Sequence, residues 1–344
     1  MNYLDKINKR TLEYFQIIEP NFPEWLVEYI NTEEMLKQQY ISVTCGKIYS
    51  DLFDCNYFYS NLDHSIAVAL IIWHFTHDKK QTLSGLFHDI ATPTFKHCID
   101  FLNGDYMKQE STEDITTKII SESKQIMKLL KRDNIFLEEI DDYHKYPIAD
   151  NDTPKLSSDR LEYSLSNALL VYNLLNIDKI KEIYNDIEIQ YNENDVEELA
   201  FKTKSIARSF VKFTSELSII YRDDKIRYSM QFLADIIKKL NEEEKITKTD
   251  LYNYKESEII KIIENSKYNR IYSVWKKAKK VETSDEKPND VYYVHHGAKI
   301  RYIDPLVNGK RVSKVCKIAQ KEISKNLEYD MSKYVYINGI KLDI

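Results

Sequence analysis

A chain of 344 residues, 43% hydrophobic and 30% charged, is long enough for one large globular unit or two modest ones. With only 6 Gly and 7 Pro it has little material for a turn-rich barrel or a long flexible linker, and its Leu, Ile, Lys and Glu content favours long helices. The net charge of −6 hides an asymmetry: residues 1–200 hold 19 Lys+Arg against 35 Asp+Glu, and residues 201–344 hold 30 against 20. An acidic half suits cations and a basic half suits phosphate or an acidic partner; the halves also complement each other, within one chain or between copies in a homo-oligomer.

Residues 1–40 read as helical, with Tyr14, Ile17, Trp25, Leu26 and Tyr29 on the apolar side and interruptions at Pro20 and Pro23. Thr44 to Asn61 reads as an irregular connection. Asp63 stands where an N-cap starts a helix to about His77, with Ile66, Ala69, Leu70 and Trp73 as its buried stripe. A second helix spans about Gln81 to Ile90 and enfolds His88-Asp89, and Pro93 breaks the pattern. The spacing of Ile115, Ile119, Ile120, Ile126, Leu129 and Leu130 predicts one or two amphipathic helices over 110–131. Pro147 to Pro154 is a polar turn, Ser157 to Leu175 a helix, and 195–265 helical. Near the end, 291–294, 299–303 and 334–337 are β-prone, the last followed by the turn-forming pair Asn338-Gly339. The expected architecture is mainly α: a helical body over 1–275 and a small α+β lobe over 276–344, divided by a polar, Lys-rich stretch.

No run approaches the 18 apolar residues of a membrane span; the longest, 66–75, contains His74. Met1 to Lys6 has no basic segment leading into an apolar core. Cys45, Cys55, Cys98 and Cys316 lack CxxC spacing, which argues against a disulfide framework and a thiolate zinc site. A cytoplasmic protein without a membrane partner is expected.

Three segments offer hard or borderline metal ligands: Asp63-His64, His88-Asp89 and Asp159-Arg160. Burying an adjacent imidazole and carboxylate is costly unless something compensates, as a divalent cation does. Two imidazoles and two carboxylates leave two octahedral positions for water and a substrate oxygen. A His-Asp dipeptide alone is weak, since it also arises by chance and pairs with itself or a helix end.

In combination these segments carry a resemblance. SNLDHSIAVAL (60–70), LFHDIATPTFKHCID (86–100) and SSDRLEYSL (157–165) resemble, in order, the metal-histidine motif, the HD helix with its following turn, and the last metal aspartate of the HD phosphohydrolase superfamily. The branch most similar is that of the deoxynucleoside triphosphate triphosphohydrolases and their bacterial relatives. Twenty-four positions separate His64 from His88 and 70 separate Asp89 from Asp159. The likeness covers about residues 40–240, and KIRYIDPLVNGKR (299–311) resembles the branch's appended lobe.

The resemblance implies His64, His88, Asp89 and Asp159 as ligands of one divalent metal, whether Mn, Fe, Co, Ni, Zn or Mg. It places His97 and Asp100, at i, i+3 spacing, toward the substrate as proton-managing groups with Glu110. Tyr163 matches a position that contacts the substrate's sugar, and Arg160 and Arg222 are candidates to offset phosphate charge. There are departures. Gln109 stands where the triphosphohydrolases use a histidine, and glutamine transfers no proton. Asn61, Thr92 and Asn167 replace an arginine, a histidine and an aspartate, and few phosphate contacts are evident in Ser215 to Arg227. The expected activity is therefore hydrolysis of a phosphate ester, a nucleotide or another phosphorylated small molecule. Two other readings stand beside it: a catalytically degenerate HD protein that binds nucleotide as a regulatory or assembly module, and a di-iron oxygenase, for which only His97 and His144 lie between Asp89 and Asp159. Nucleic acid is not the expected partner, because the lysine run 276–280 reads as a solvated helix face.

Overall fold

Ser60 and Asp63 start the central helix by capping each other: the Ser60 hydroxyl accepts from the Asp63 N–H, and the Asp63 carboxylate accepts from the Ser60 N–H. The cap expected at Asp63 thus moves to Ser60, because a capping box needs its acid three residues into the helix. In the computed structural model, which describes residues 2–55, 57–108 and 115–342, the chain is mainly α with two small sheets. The prolines divide the start into α1 (Lys9–Ile18), α2 (Leu26–Ile30) and α3 (Glu33–Lys37). The capped helix is α4 (Asn61–Thr76), followed by α5 (Lys79–Phe87) and α6 (Cys98–Leu102). Ser123 separates α7 (Thr116–Glu122) from α8 (Lys124–Asp133) by capping the second. Then come α9 (Ser158–Ser166), which runs into a π-helical turn over Asn167–Val171, and α10 (Ile177–Asn185).

Residues 195–201 were expected to be helical and are not. Ile187–Tyr191 (β1) and Glu197–Phe201 (β2) form an antiparallel hairpin. The Asn192 carboxamide oxygen accepts from the N–H groups of Asn194 and Val196, so a local turn wins over helix propensity there. Helices resume with α11 (Lys204–Ile220), α12 (Asp224–Glu242), α13 (Lys248–Asn253), α14 (Glu256–Glu264) and α15 (Asn269–Lys277). The rest comprises β3 (Glu282–Ser284), β4 (Tyr293–Val294), β5 (Leu306–Val307), β6 (Lys310–Arg311), α16 (Val312–Val315), α17 (Lys317–Leu327) and β7 (Tyr334–Tyr336). The expected strand over 299–303 is irregular chain. The tight hairpin of this region joins β5 to β6 at Asn308-Gly309, both left-handed (φ 51° and 70°), and not at Asn338-Gly339.

Every residue from Asn61 to Ile72 is buried, so α4 is the centre of the main core and not a helix with one apolar stripe. Ile66, Leu70 and Ile71 pack with Leu83, Leu86 and Phe87 of α5 and Leu161 and Leu165 of α9. Each such side chain contributes about 1.5–3 kcal/mol on burial. Gly85 permits the close approach of α4 and α5, since a Cβ there would collide with the Ile72 side chain. The C-terminal residues are shared between two cores: Val307, Val312 and Ala319 join the main one, and Tyr292, Val294 and Val335 join a second around α12 and Trp275. Strand β5 pairs parallel with β2, giving the order β1-β2-β5-β6, and β3-β7-β4 forms the other sheet. No helix among the described residues is long and apolar enough to cross a membrane.

Candidate metal centre and its cavity

His64 lies one turn into α4, His88 at the C-cap of α5 and Asp159 in the first turn of α9. His88-Asp89 was expected inside a helix. It stands at the helix end, where Gln38 pins the following turn through the Ile90 carbonyl, 2.7 Å from its Nε2. The close packing of α4 on α5 brings the two imidazoles to 5.1 Å between ring centroids. His64 Nε2 is 3.2 Å from Asp159 Oδ1 and 3.7 Å from Asp89 Oδ2, and His88 Nε2 is 3.7 Å from each of the same oxygens.

The other ring nitrogens are committed. His88 Nδ1 donates to the Gly85 carbonyl at 2.7 Å, and His64 Nδ1 pairs with Glu162 Oε2. Glu162 is fully buried and also accepts from the Tyr59 hydroxyl at 2.8 Å. Acceptors on Nδ1 fix each ring with Nε2 pointing inward, the arrangement that surrounds metal-ligating histidines. Burial disfavours charge on His64, yet Glu162 and Asp159 outweigh it and raise the pKa to about 10. For Asp159, burial is likewise overcome, and His64 draws the carboxyl down to about 2. Against the cost of burial, Lys96, His88 and His64 hold Asp89 well below the usual carboxylate range. The carboxylates thus draw positive charge into a pocket whose donors are two imidazole nitrogens and carboxylate oxygens. A borderline divalent cation fits that set; the ligand atoms of His64, His88 and Asp89 lie within 4.8 Å of one another.

The centre forms one end of a cavity of about 400 Å³. His97 lines it, with Nδ1 2.9 Å from Oδ2 of the buried Asp100, so the i, i+3 pair forms. Burial lowers the His97 pKa, with Asp100 opposing. Tyr163 also lines the cavity, edge-on to Tyr221 at 6.4 Å. Arg160 faces the cavity but is tied down, donating to Asn151 Oδ1 at 2.7 Å and pairing with Asp150 at 3.1 Å. His144 lines the cavity as well, half exposed and 3.4 Å from Asp150 Oδ2.

Arg222 corrects an expectation. It stands in the turn between α11 and α12, its guanidinium fully buried and bonded to the Ser218 and Asn326 carbonyls and the Asn326 side chain, and it is not among the cavity residues. Arg227 is likewise turned away, toward Asp224 and the His296 carbonyl. The cavity's cations come from elsewhere: Lys47, Lys96, Lys299 and Arg301. Glu110 and Gln109 lie outside the described residues. Sequence reasoning missed Glu162 and Lys96. Glu162 had a signal, its i+3 spacing from Asp159 on a helix whose neighbours are apolar; the direction of Lys96 had none.

No family model matches the chain. In sequence it is similar to the uncharacterised protein YdhJ of Bacillus subtilis strain 168, at 22% identity over 249 residues, 71% of this chain and 73% of that protein. In fold it is similar to a hypothetical protein from Aquifex aeolicus, with a TM-score of 0.62 and 15% identity over 96% of this chain and 93% of the other. It is similar also to a phosphohydrolase from Bacteroides thetaiotaomicron, with a TM-score of 0.58 and 14% identity over 92% of this chain and 96% of that one. At these identities the likeness is one of fold.

Proposed function

We propose that the chain is a metal-dependent phosphohydrolase of the HD type, acting on the phosphate ester of a nucleotide or a related phosphorylated small molecule. The observation that carries this reading is the convergence of His64 and His88 Nε2 on Asp89 and Asp159 oxygens within 3.2–3.7 Å, at one end of a cavity that lysines also line. The likeness in fold to a phosphohydrolase supports it. A divalent cation bound by these four residues supplies Lewis acidity toward a phosphoryl oxygen and makes water nucleophilic at neutral pH.

The chain's own residues do the rest. Glu162 and the Gly85 carbonyl hold the two imidazoles in their ligating orientation. His97, oriented through Nδ1 by Asp100, with burial favouring the neutral ring, accepts a proton at Nε2. Tyr163 and Tyr221 give the cavity an aromatic flank for a sugar or ring, and its 400 Å³ suits a small organic phosphate. Arg160 holds the Asp150-Asn151 turn that borders the centre.

A turnover screen with manganese and other divalent metals tests this reading. It should cover nucleoside mono- and triphosphates and simple phosphomonoesters and diesters, reading which phosphate species is released. His64→Ala is expected to abolish both metal content, read by elemental analysis, and turnover. Full metal with retained turnover in that variant would overturn the assignment.

A further inference from the structure

Phe95 and Lys96 are consecutive residues with left-handed backbone, φ 65° and 45°. A side-chain-bearing residue adopts that conformation at a cost, and two in succession persist only where the surroundings enforce them. Here they do. Thr94 donates to the carbonyls of Leu251 and Tyr254, at 2.9 and 2.7 Å, anchoring the turn to α13 and the chain that follows it. The Phe95 ring is fully buried and packs on Gly46, where an added Cβ would come within 3.1 Å of it.

The consequence falls on Lys96. Its side chain, only 10% exposed, turns into the cavity, with Nζ 2.8 Å from Asp89 Oδ2 and a second bond to Asn61 Oδ1. Asn61 is itself held by Gln38 Oε1 at 3.0 Å and the Asp89 carbonyl at 3.2 Å. An ammonium has three protons to donate; among the described residues these two acceptors take two. The backbone strain thus places a cation beside a candidate metal ligand, with a donor to spare and a cavity in front of it.

We propose that Lys96 is a phosphate-binding residue, its ammonium donating to an oxygen of the substrate's phosphate beside Asp89. The proposal rests on the phosphohydrolase reading above. It also accounts for Asn61: in place of a cation, that position carries an acceptor that aims one.

The test uses the full chain loaded with manganese and inorganic phosphate as the probe, both titrated calorimetrically. Lys96→Met is expected to weaken phosphate binding at least tenfold while one manganese still binds with unchanged or higher affinity. Lys96→Arg should stay within a few-fold of the parent. Lys96→Gly, which suits the left-handed backbone, should fold and lose phosphate as Lys96→Met does, separating lost charge from lost structure. Parent-like phosphate affinity in the Met and Gly variants would overturn the proposal, as would a loss traceable wholly to lost manganese. If the parent protein binds neither manganese nor any other divalent metal of the screen, the phosphohydrolase reading itself falls, and that is a different result.

Discussion

At one end of the cavity His64, His88 and Asp159 are carried by α4, α5 and α9, helices of a single core, whereas Lys96, His97 and Arg301 stand on turns and irregular chain and Lys47 on a single 3-10 turn. The helical end obtains its precision from packing: each imidazole is aimed by its helix and locked by one acceptor on Nδ1. The cationic wall obtains its shape from contacts distant in sequence, such as those of Thr94 with Leu251 and Tyr254. A centre that must hold ligands to within tenths of an ångström is best built on rigid elements, and groups that select a substrate sit readily on the chain between them.

The contrast can be tested from both sides. The largest effect is expected at Glu256, which supports the wall by accepting from the Ser42 N–H and the Tyr49 hydroxyl. Burial raises its pKa from 4.5 to about 7. A group whose pKa is higher folded than unfolded gives a contribution that is complete below about 4.5 and lost as pH rises through about 7. The shift corresponds to roughly 3 kcal/mol. Urea unfolding at pH 5 and pH 8 should show Glu256→Gln losing less stability over that interval than the parent, and parallel curves would remove Glu256 from this role.

Next in size is Glu162→Gln, which keeps the shape but weakens the acceptor behind His64. Loss of such a partner costs about 10–100-fold in metal affinity, and manganese titration should find it. A change under threefold would mean that the helical end is not locked through Nδ1. The smallest effect is expected at Gly85→Ala, where the new methyl meets Ile72. Overpacking of this kind costs about 1–3 kcal/mol, read by urea unfolding, with manganese affinity falling too because His88 donates to this residue's carbonyl. Unchanged stability would show that α4 and α5 are not at their limit of approach.

By itself the sequence determined the helical class, because apolar periodicity and capping chemistry act over a few residues and need no partner; the three segments that meet at the centre were marked by their ligand types and their resemblance to the HD phosphohydrolases. Only the tertiary structure decided where the polar side chains point. Arg222 turns to Asn326, 104 residues away, and leaves the cavity to Lys299 and Arg301. Lys96 enters that cavity because the second core forces a backbone its own sequence disfavours. The hairpin over 187–201 likewise depends on β5, more than a hundred residues later, for the pairing of its inner strand. A long charged side chain has many rotamers of nearly equal energy in isolation, and its direction is set by whichever partner the fold brings within reach.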